Sequence, residues 1–216
     1  MSSKIKKYTS FWYVSNKYGK KTRPFFNDLD NVFACKGEVI SSDPISHVKK
    51  IHIAGQCYYV KVYTAGGKRL RRYIGRSRIR ADWENLIFFD SLDIPVPEIV
   101  ACGQELCFGI FKRGALITKE VPGSTDLATL AAKNSKCLKN RAWMEEVGFL
   151  YSEYTRRLHD NRFIHVDLKW RNILVTKGEK PEVYFIDCPS GKKVIYPLFK
   201  HGKIKDLACL DKIARY

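Results

Sequence analysis

His165, Asp167 and Asn172 stand in the spacing H-x-D-x-x-x-x-N within HVDLKWRNILV, and that segment runs directly into an apolar stretch of strand character. The residue types suit transfer of a phosphoryl group to a hydroxyl. An aspartate can accept the proton of the attacking hydroxyl. An asparagine five residues later can reach back to a divalent cation carried by the donor phosphates. Lys169, two residues after Asp167, can touch the group in flight and stabilise its developing charge. His165 reads as a brace for the loop, and Trp170 and Arg171 can face an acceptor or simply pack and be solvated.

Such chemistry needs further groups, brought in from other elements. A lysine on a strand has to neutralise the donor phosphates. Lys61 in YYVKVY fits, because apolar residues alternate around it, although it could also be a lysine on the wet face of a strand. A helix carboxylate has to hold that lysine. Glu84 follows Lys61 by 23 residues on a predicted helix, with Asp82 as its competitor. A second metal ligand should close a strand near the loop. Asp187 in VYFIDCPSG follows Asp167 by 20 residues across a predicted hairpin, which returns it beside Asn172.

The elements needed to position these groups are legible. GEVI and HVKKIHIAG, broken at SSDP, read as strands; Ala54-Gly55-Gln56 marks a tight turn, and CYYVKVY completes an antiparallel meander. RSRIRADWENLIFFDSL reads as a helix ended by Pro95, with an imperfect apolar side. Two further strands follow, IPVPEIVACGQE and FGIFKRGALITKEV. VPGSTDL reads as a linker into a helix capped by Ser124 or Thr125. Trp143, Val147, Leu150, Tyr151, Tyr154 and Leu158 share one face of a helix over 139–160, with Arg156 and Arg157 solvated off that stripe. NILVT and VYFID are strands around KGEKPE, and KIKDLACLDKIARY is a final helix.

Composition narrows the class. The 216 residues are 45% hydrophobic and 13% aromatic, enough for a packed core and too apolar for disorder. No run is long enough to span a membrane, and the N-terminus lacks the apolar region of a secretory signal, so a cytoplasmic chain is expected. The seven cysteines have no zinc-ligand spacing and read as free, mostly buried thiols. The formal net charge of +17 calls for an anionic partner: nucleic acid, an anionic bilayer or a phosphorylated ligand. It concentrates at residues 4–7, 16–23 and 66–80, and the last stretch holds seven Lys or Arg without an acidic residue.

Together the segments resemble the protein-kinase-like superfamily, and more narrowly the bacterial lipopolysaccharide core kinases, among them the heptose kinases. The likeness runs over about residues 37–216, through GEVI, YYVKVY, ADWENLIFFDSLDIPVPEIVACG, LITKEVPGSTDL, HVDLKWRNILV, YFIDCPSG and IKDLACLDKIARY. It implies an α+β, two-lobed, protein-kinase-like fold with an antiparallel N-lobe sheet, one helix in that lobe, and a short, mainly helical C-lobe. Residues 1–24 form a basic aromatic arm, 25–120 the N-lobe, and 121–216 the C-lobe with catalytic loop 165–172 and metal-binding segment 187–191.

The implied reaction is ATP-dependent phosphorylation of a core sugar hydroxyl, a heptose being the expected one. Asp167 and Lys169 are its catalytic residues, Lys61 and Glu84 serve the nucleotide, and Asn172 and Asp187 hold Mg2+. The implied partners are the lipopolysaccharide core glycolipid and the anionic inner face of the cytoplasmic membrane, with no nucleic acid. Several features depart from the superfamily pattern. There is no G-x-G-x-x-G, Cys188-Pro189 follows Asp187, and no A-P-E occurs in the 29 residues after it. Without a peptide-docking segment a compact acceptor is favoured. An atypical serine/threonine kinase and a degenerate kinase fold serving as a basic binding module are the alternatives.

Overall fold

In the computed structural model residues 8–19, 22–66 and 76–210 are described. The basic segment at 4–7 and most of the basic stretch at 66–80 lie outside them. The chain divides into two compact units, one of residues 1–83 and 98–120, the other of residues 84–97 and 121–216.

The first unit is built on a six-stranded sheet. Its strands are β1 (Tyr8–Val14), β2 (Glu38–Asp43), β3 (Ser46–Ile53), β4 (Gln56–Tyr63), β5 (Ile99–Cys107) and β6 (Ile110–Lys119), in the order β1-β5-β6-β4-β3-β2 with every pair antiparallel. The β3–β4 turn uses Ala54 and Gly55, both at positive φ (51° and 78°), the backbone of a tight two-residue hairpin. Period-two alternation sorts β4 into two faces. Tyr58, Val60 and Val62 join Ile51, Val100, Ala115 and Ile117 in a core covered by a 3-10 turn (Arg23–Phe26) and helix α1 (Leu29–Ala34). Lys61 therefore faces the other way, in register with Leu116 of β6 and Val48 of β3. Part of the stretch read as an N-terminal arm is β1, which extends the sheet beside β5. α1 is a second helix in this half, where one was expected. Its six residues are too few to show periodicity, and its signal is the Asp28 cap, which accepts from the Asn31 N–H at 2.8 Å.

Helix α2 (Arg78–Asp90) begins in the first unit and ends in the second. The second unit contains helices α3 (Leu127–Ala132), α4 (Arg141–Asp160) and α5 (Leu198–Leu210). It also holds the sheet β10-β9-β7, of strands β7 (Ser124–Asp126), β9 (Ile173–Thr176) and β10 (Val183–Phe185), and the pair β8 (Phe163–Ile164) with β11 (Lys192–Lys193). Its core gathers Phe89, Tyr151, Phe163, His165 and Phe185 in a run of ring contacts 5.3 to 6.3 Å apart.

Several expectations are corrected here. Ser124 and Thr125 lie in β7, and the cap of α3 is Asp126, whose carboxylate accepts from the Thr129 N–H at 2.8 Å. A carboxylate one residue nearer the helix reaches the free amides that the hydroxyls do not. Arg157 is not merely solvated: it donates to the carbonyls of Leu92 and Asp93 beyond the end of α2. All seven cysteines are free, as expected, but only Cys102 and Cys188 are fully buried. The final helix starts at Leu198, five residues before the apolar-basic pattern suggested, and residues 211–216 lie outside the described ones.

Gly202 lets α5 lie close on β8. A Cβ there would come 2.7 Å from Ile164 Cγ1 and 2.9 Å from its Cγ2. In an isolated helix alanine at this position would be favoured by about 1 kcal/mol. Here Gly202→Ala is expected to destabilise the protein by about 1–3 kcal/mol through overpacking. Denaturant unfolding checks this: a lower midpoint at unchanged slope is the expected outcome.

Candidate active site

The loop between β8 and β9 carries Asp167, Lys169 and Asn172, and four kinds of bond fix it. Its own backbone folds back, Lys169 N–H to Asp167 O and Asn172 N–H to Lys169 O, both at 2.8 Å. The amide of Asn172 donates to the Asp167 carbonyl at 2.8 Å and to its Oδ2 at 3.3 Å. The buried hydroxyl of Tyr151, on α4, donates to the Leu168 carbonyl at 2.7 Å. From α5, Asp206 accepts the N–H of His165 on Oδ2 and the N–H of Val166 on Oδ1, both at 2.9 Å. Val166 needs that grip, because its φ of 74° is a strained value for a β-branched residue.

Asp167 stands amid positive charge. Lys169 Nζ is 2.6 Å from Oδ1 and an Arg171 guanidinium nitrogen 3.5 Å from Oδ2. Partial burial opposes ionisation of the carboxyl. Lys169, Arg171 and the Asn172 amide outweigh it and hold the group below its ordinary range. The site thus presents a carboxylate, able to accept a proton, with two largely exposed cations beside it. His165 is the brace the sequence suggested. It is fully buried, its ring stacks on Phe89 at 5.7 Å, and neither ring nitrogen has a hydrogen-bond partner. Burial lowers its pKa and keeps the ring neutral, despite the opposing field of Asp206, Asp187 and Asp167.

Asp187 follows β10 in a left-handed conformation (φ 57°). The preceding residue, Ile186, donates its N–H to the Asn172 carbonyl at 3.0 Å, so the backbone brings Asp187 alongside the loop. The Asn172 amide nitrogen is committed to Asp167, which leaves its oxygen as the atom able to ligate a hard cation. Two oxygen ligands suit Mg2+, which takes one or two protein ligands and completes its shell with water and substrate phosphate. Among the described residues no group of three or more His, Cys, Asp or Glu forms a self-sufficient metal site. The segment after Asp187 is held from α2, where Asn85 donates to the carbonyls of Cys188 (2.6 Å) and Gly191 (3.0 Å).

In the first unit Lys61 Nζ forms an ion pair with Asp82 Oδ2 at 2.8 Å and lies over the Tyr63 ring at 5.4 Å. Asp82, the competitor of Glu84 in the sequence, is thus a partner of Lys61. Asp82 is 1% exposed, and Glu84, two residues on, is half-buried.

Sequence reasoning missed Asp206 and Asn85. Asn85 lies on the buried stripe of α2, and Asp206 is the one buried residue of α5 among the described residues. Ile79, Asp82, Asn85, Leu86 and Phe89 are buried on α2, so the imperfect apolar side of this helix was itself the signal. Asp206 lay inside the predicted final helix with nothing local to mark it.

Removing the Asp206 acceptor leaves two N–H groups unpaired, one of them on a buried residue. Asp206→Ala is expected to cost about 3 kcal/mol or more, read from denaturant unfolding. Histidine 165 gives a pH effect of definite sign. The folded protein resists protonating its ring, whereas the unfolded chain takes up the proton as pH falls through about 6.5. This contribution is therefore complete above that pH and declines below it. Unfolding free energies at about pH 7.5 and pH 5.5 should differ less in His165→Leu than in the parent protein.

A profile of the lipopolysaccharide kinase (Kdo/WaaP) family matches residues 42–214. The solved structure described as WaaP in complex with acyl carrier protein superposes with a TM-score of 0.68 at 18% identity, covering 94% of this chain and 81% of that one. At that identity the likeness concerns the fold, which is kinase-like and α+β. No curated protein matches the sequence. The profile spans well over half of the chain, and the protein is accordingly a member of the lipopolysaccharide kinase (Kdo/WaaP) family.

Proposed function

We propose that the protein transfers the γ-phosphoryl group of ATP to a sugar hydroxyl, a heptose, of the lipopolysaccharide core. The observation that carries this reading is the ionised Asp167, tethered by Asn172 and flanked by Lys169 and Arg171. Asp167 orients the acceptor hydroxyl and takes its proton as the new O–P bond forms and the bond to the leaving diphosphate breaks. Lys169, half-exposed beside it, turns to the transferring group and offsets its charge. Lys61, held by Asp82, binds the donor phosphates, and Glu84 remains a proposed partner in that role. Asn172 and Asp187 hold Mg2+, which when bound with the nucleotide neutralises phosphate charge. Asn85 positions the segment that follows Asp187.

A core glycolipid bears phosphate and carboxylate groups, and the strongly basic chain suits such an acceptor. We place the reaction at the inner face of the cytoplasmic membrane. The proposed association is peripheral; among the described residues no helix is long and apolar enough to cross a membrane.

Asp167→Asn removes the proton acceptor while keeping shape. Transfer of label from [γ-32P]ATP to purified core glycolipid is expected to fall by about 10²-fold or more. Retained transfer would overturn the assignment, and label on protein with none on glycolipid would move it to a protein kinase. Because Asp167 is held below the ordinary carboxylate range, its ionisation gives no acid limb in the transfer rate above about pH 4. Asn85→Ala is expected to lower the rate and weaken Mg2+ dependence, with little change when Glu145, an exposed residue of α4, is replaced instead.

A further inference from the structure

The segment that runs from β11 into α5, the helix whose Asp206 holds the 165–172 loop, exposes apolar side chains. Ile195, Tyr196 and Leu198 are 73, 74 and 68% exposed, and on α5 itself Ile204 is 59% and Leu207 41% exposed. Ile204 lies on the side of α5 turned away from Asp206 and β8. Soluble surfaces scatter such residues singly, whereas Ile195, Tyr196 and Leu198 fall within four residues of chain, and such a cluster marks something that covers it. Around them stand Lys192, Lys193, Lys200, Lys203 and Lys205, all exposed. The one carboxylate within residues 192–207 is Asp206, which is buried and engaged with the catalytic loop.

The chemistry selects the occupant. Lysine is depleted at protein–protein interfaces, and an interface with a protein would need acidic residues facing five unbalanced ammonium groups. Nucleic acid would satisfy the lysines and leave the aliphatic side chains against water. An anionic bilayer satisfies both. Aliphatic residues and a tyrosine enter the boundary between headgroups and acyl chains, while the lysine stems reach back to lipid phosphates.

We infer that residues 192–207 are the membrane-docking element of this protein and seat it on an anionic lipid surface. The inference rests on the reading of the acceptor as a lipid-anchored sugar and deepens it. Asp206 ties α5 to the backbone of His165 and Val166, so the element that meets the lipid is joined to the residues preceding Asp167. Docking fixes the height of the proton acceptor above the surface, where the core sugars of a glycolipid lie.

Flotation with vesicles tests this without nucleotide or acceptor. The parent protein should float with phosphatidylethanolamine–phosphatidylglycerol vesicles and stay behind with phosphatidylcholine vesicles. Two variants are compared with it, one carrying I195S, L198S and I204S, the other K192Q, K200Q and K203Q. Each should bind the anionic vesicles at least tenfold more weakly while unfolding at the parent's temperature. Both should phosphorylate a delipidated, soluble core oligosaccharide at the parent rate, and vesicle-embedded glycolipid more slowly. Undiminished vesicle binding in the variants overturns the inference. So does a parent protein that ignores vesicles and instead forms dimers that the serine variant dissolves. A parent protein that floats in this patch-dependent way and phosphorylates neither acceptor overturns the proposed reaction and leaves the docking element standing.

Discussion

A buried carboxylate has to be compensated on every side, and Asp206 is compensated by the loop it supports. Its two oxygens take consecutive backbone N–H groups of the loop between β8 and β9, and His159 Nε2 approaches at 3.2 Å. The arrangement is reciprocal. The loop would not hold Val166 at a positive φ without two charge-assisted bonds, and the carboxylate would not tolerate burial without two fixed dipoles. Asp167 inherits its position from this grip, and Asn172 inherits its own from Asp167. The backbone bond from Ile186 to Asn172 then carries the order on to Asp187.

The rest of the second unit serves the same end with little polar redundancy. Tyr151 holds the middle of the loop by one hydrogen bond, Phe89 and Phe185 pack the neutral imidazole of His165, and Asn85 secures the segment beyond Asp187. Charge is confined to where it can act. Lys169 and Arg171, both largely exposed, reach Asp167, whereas the buried side of the loop meets neutral rings and the single carboxylate of Asp206. In the first unit the same economy places Lys61 on the sheet face opposite the main core, where Asp82 can meet it.

Much of this was legible in the chain and some was not, for definite reasons. Period-two alternation around Lys61 disclosed both strand and facing, because a strand's two sides are set by adjacent residues. The spacing of Asp167, Asn172 and Asp187 was legible because a short loop and a hairpin are local structures. Asp82 was visible only as a rival to Glu84, since its pairing with Lys61 depends on which side of α2 is buried. Asn85 and Asp206 were invisible as site residues because their partners lie 103 and 41 residues away in the chain. A polar residue on a buried stripe looks like a defect in the pattern until its distant partner is known.

The separation between the loop and Asp206 has a consequence for how the site comes into being. Every residue that defines the motif is present once the chain reaches Asp187, yet two backbone bonds that shape the loop come from a helix that begins at Leu198. The loop can take up this form only when α5 has closed onto β8, so its shape depends on a helix made after the motif and not on synthesis of the motif alone. Until that moment a growing chain holds the complete signature without the two bonds that shape its loop.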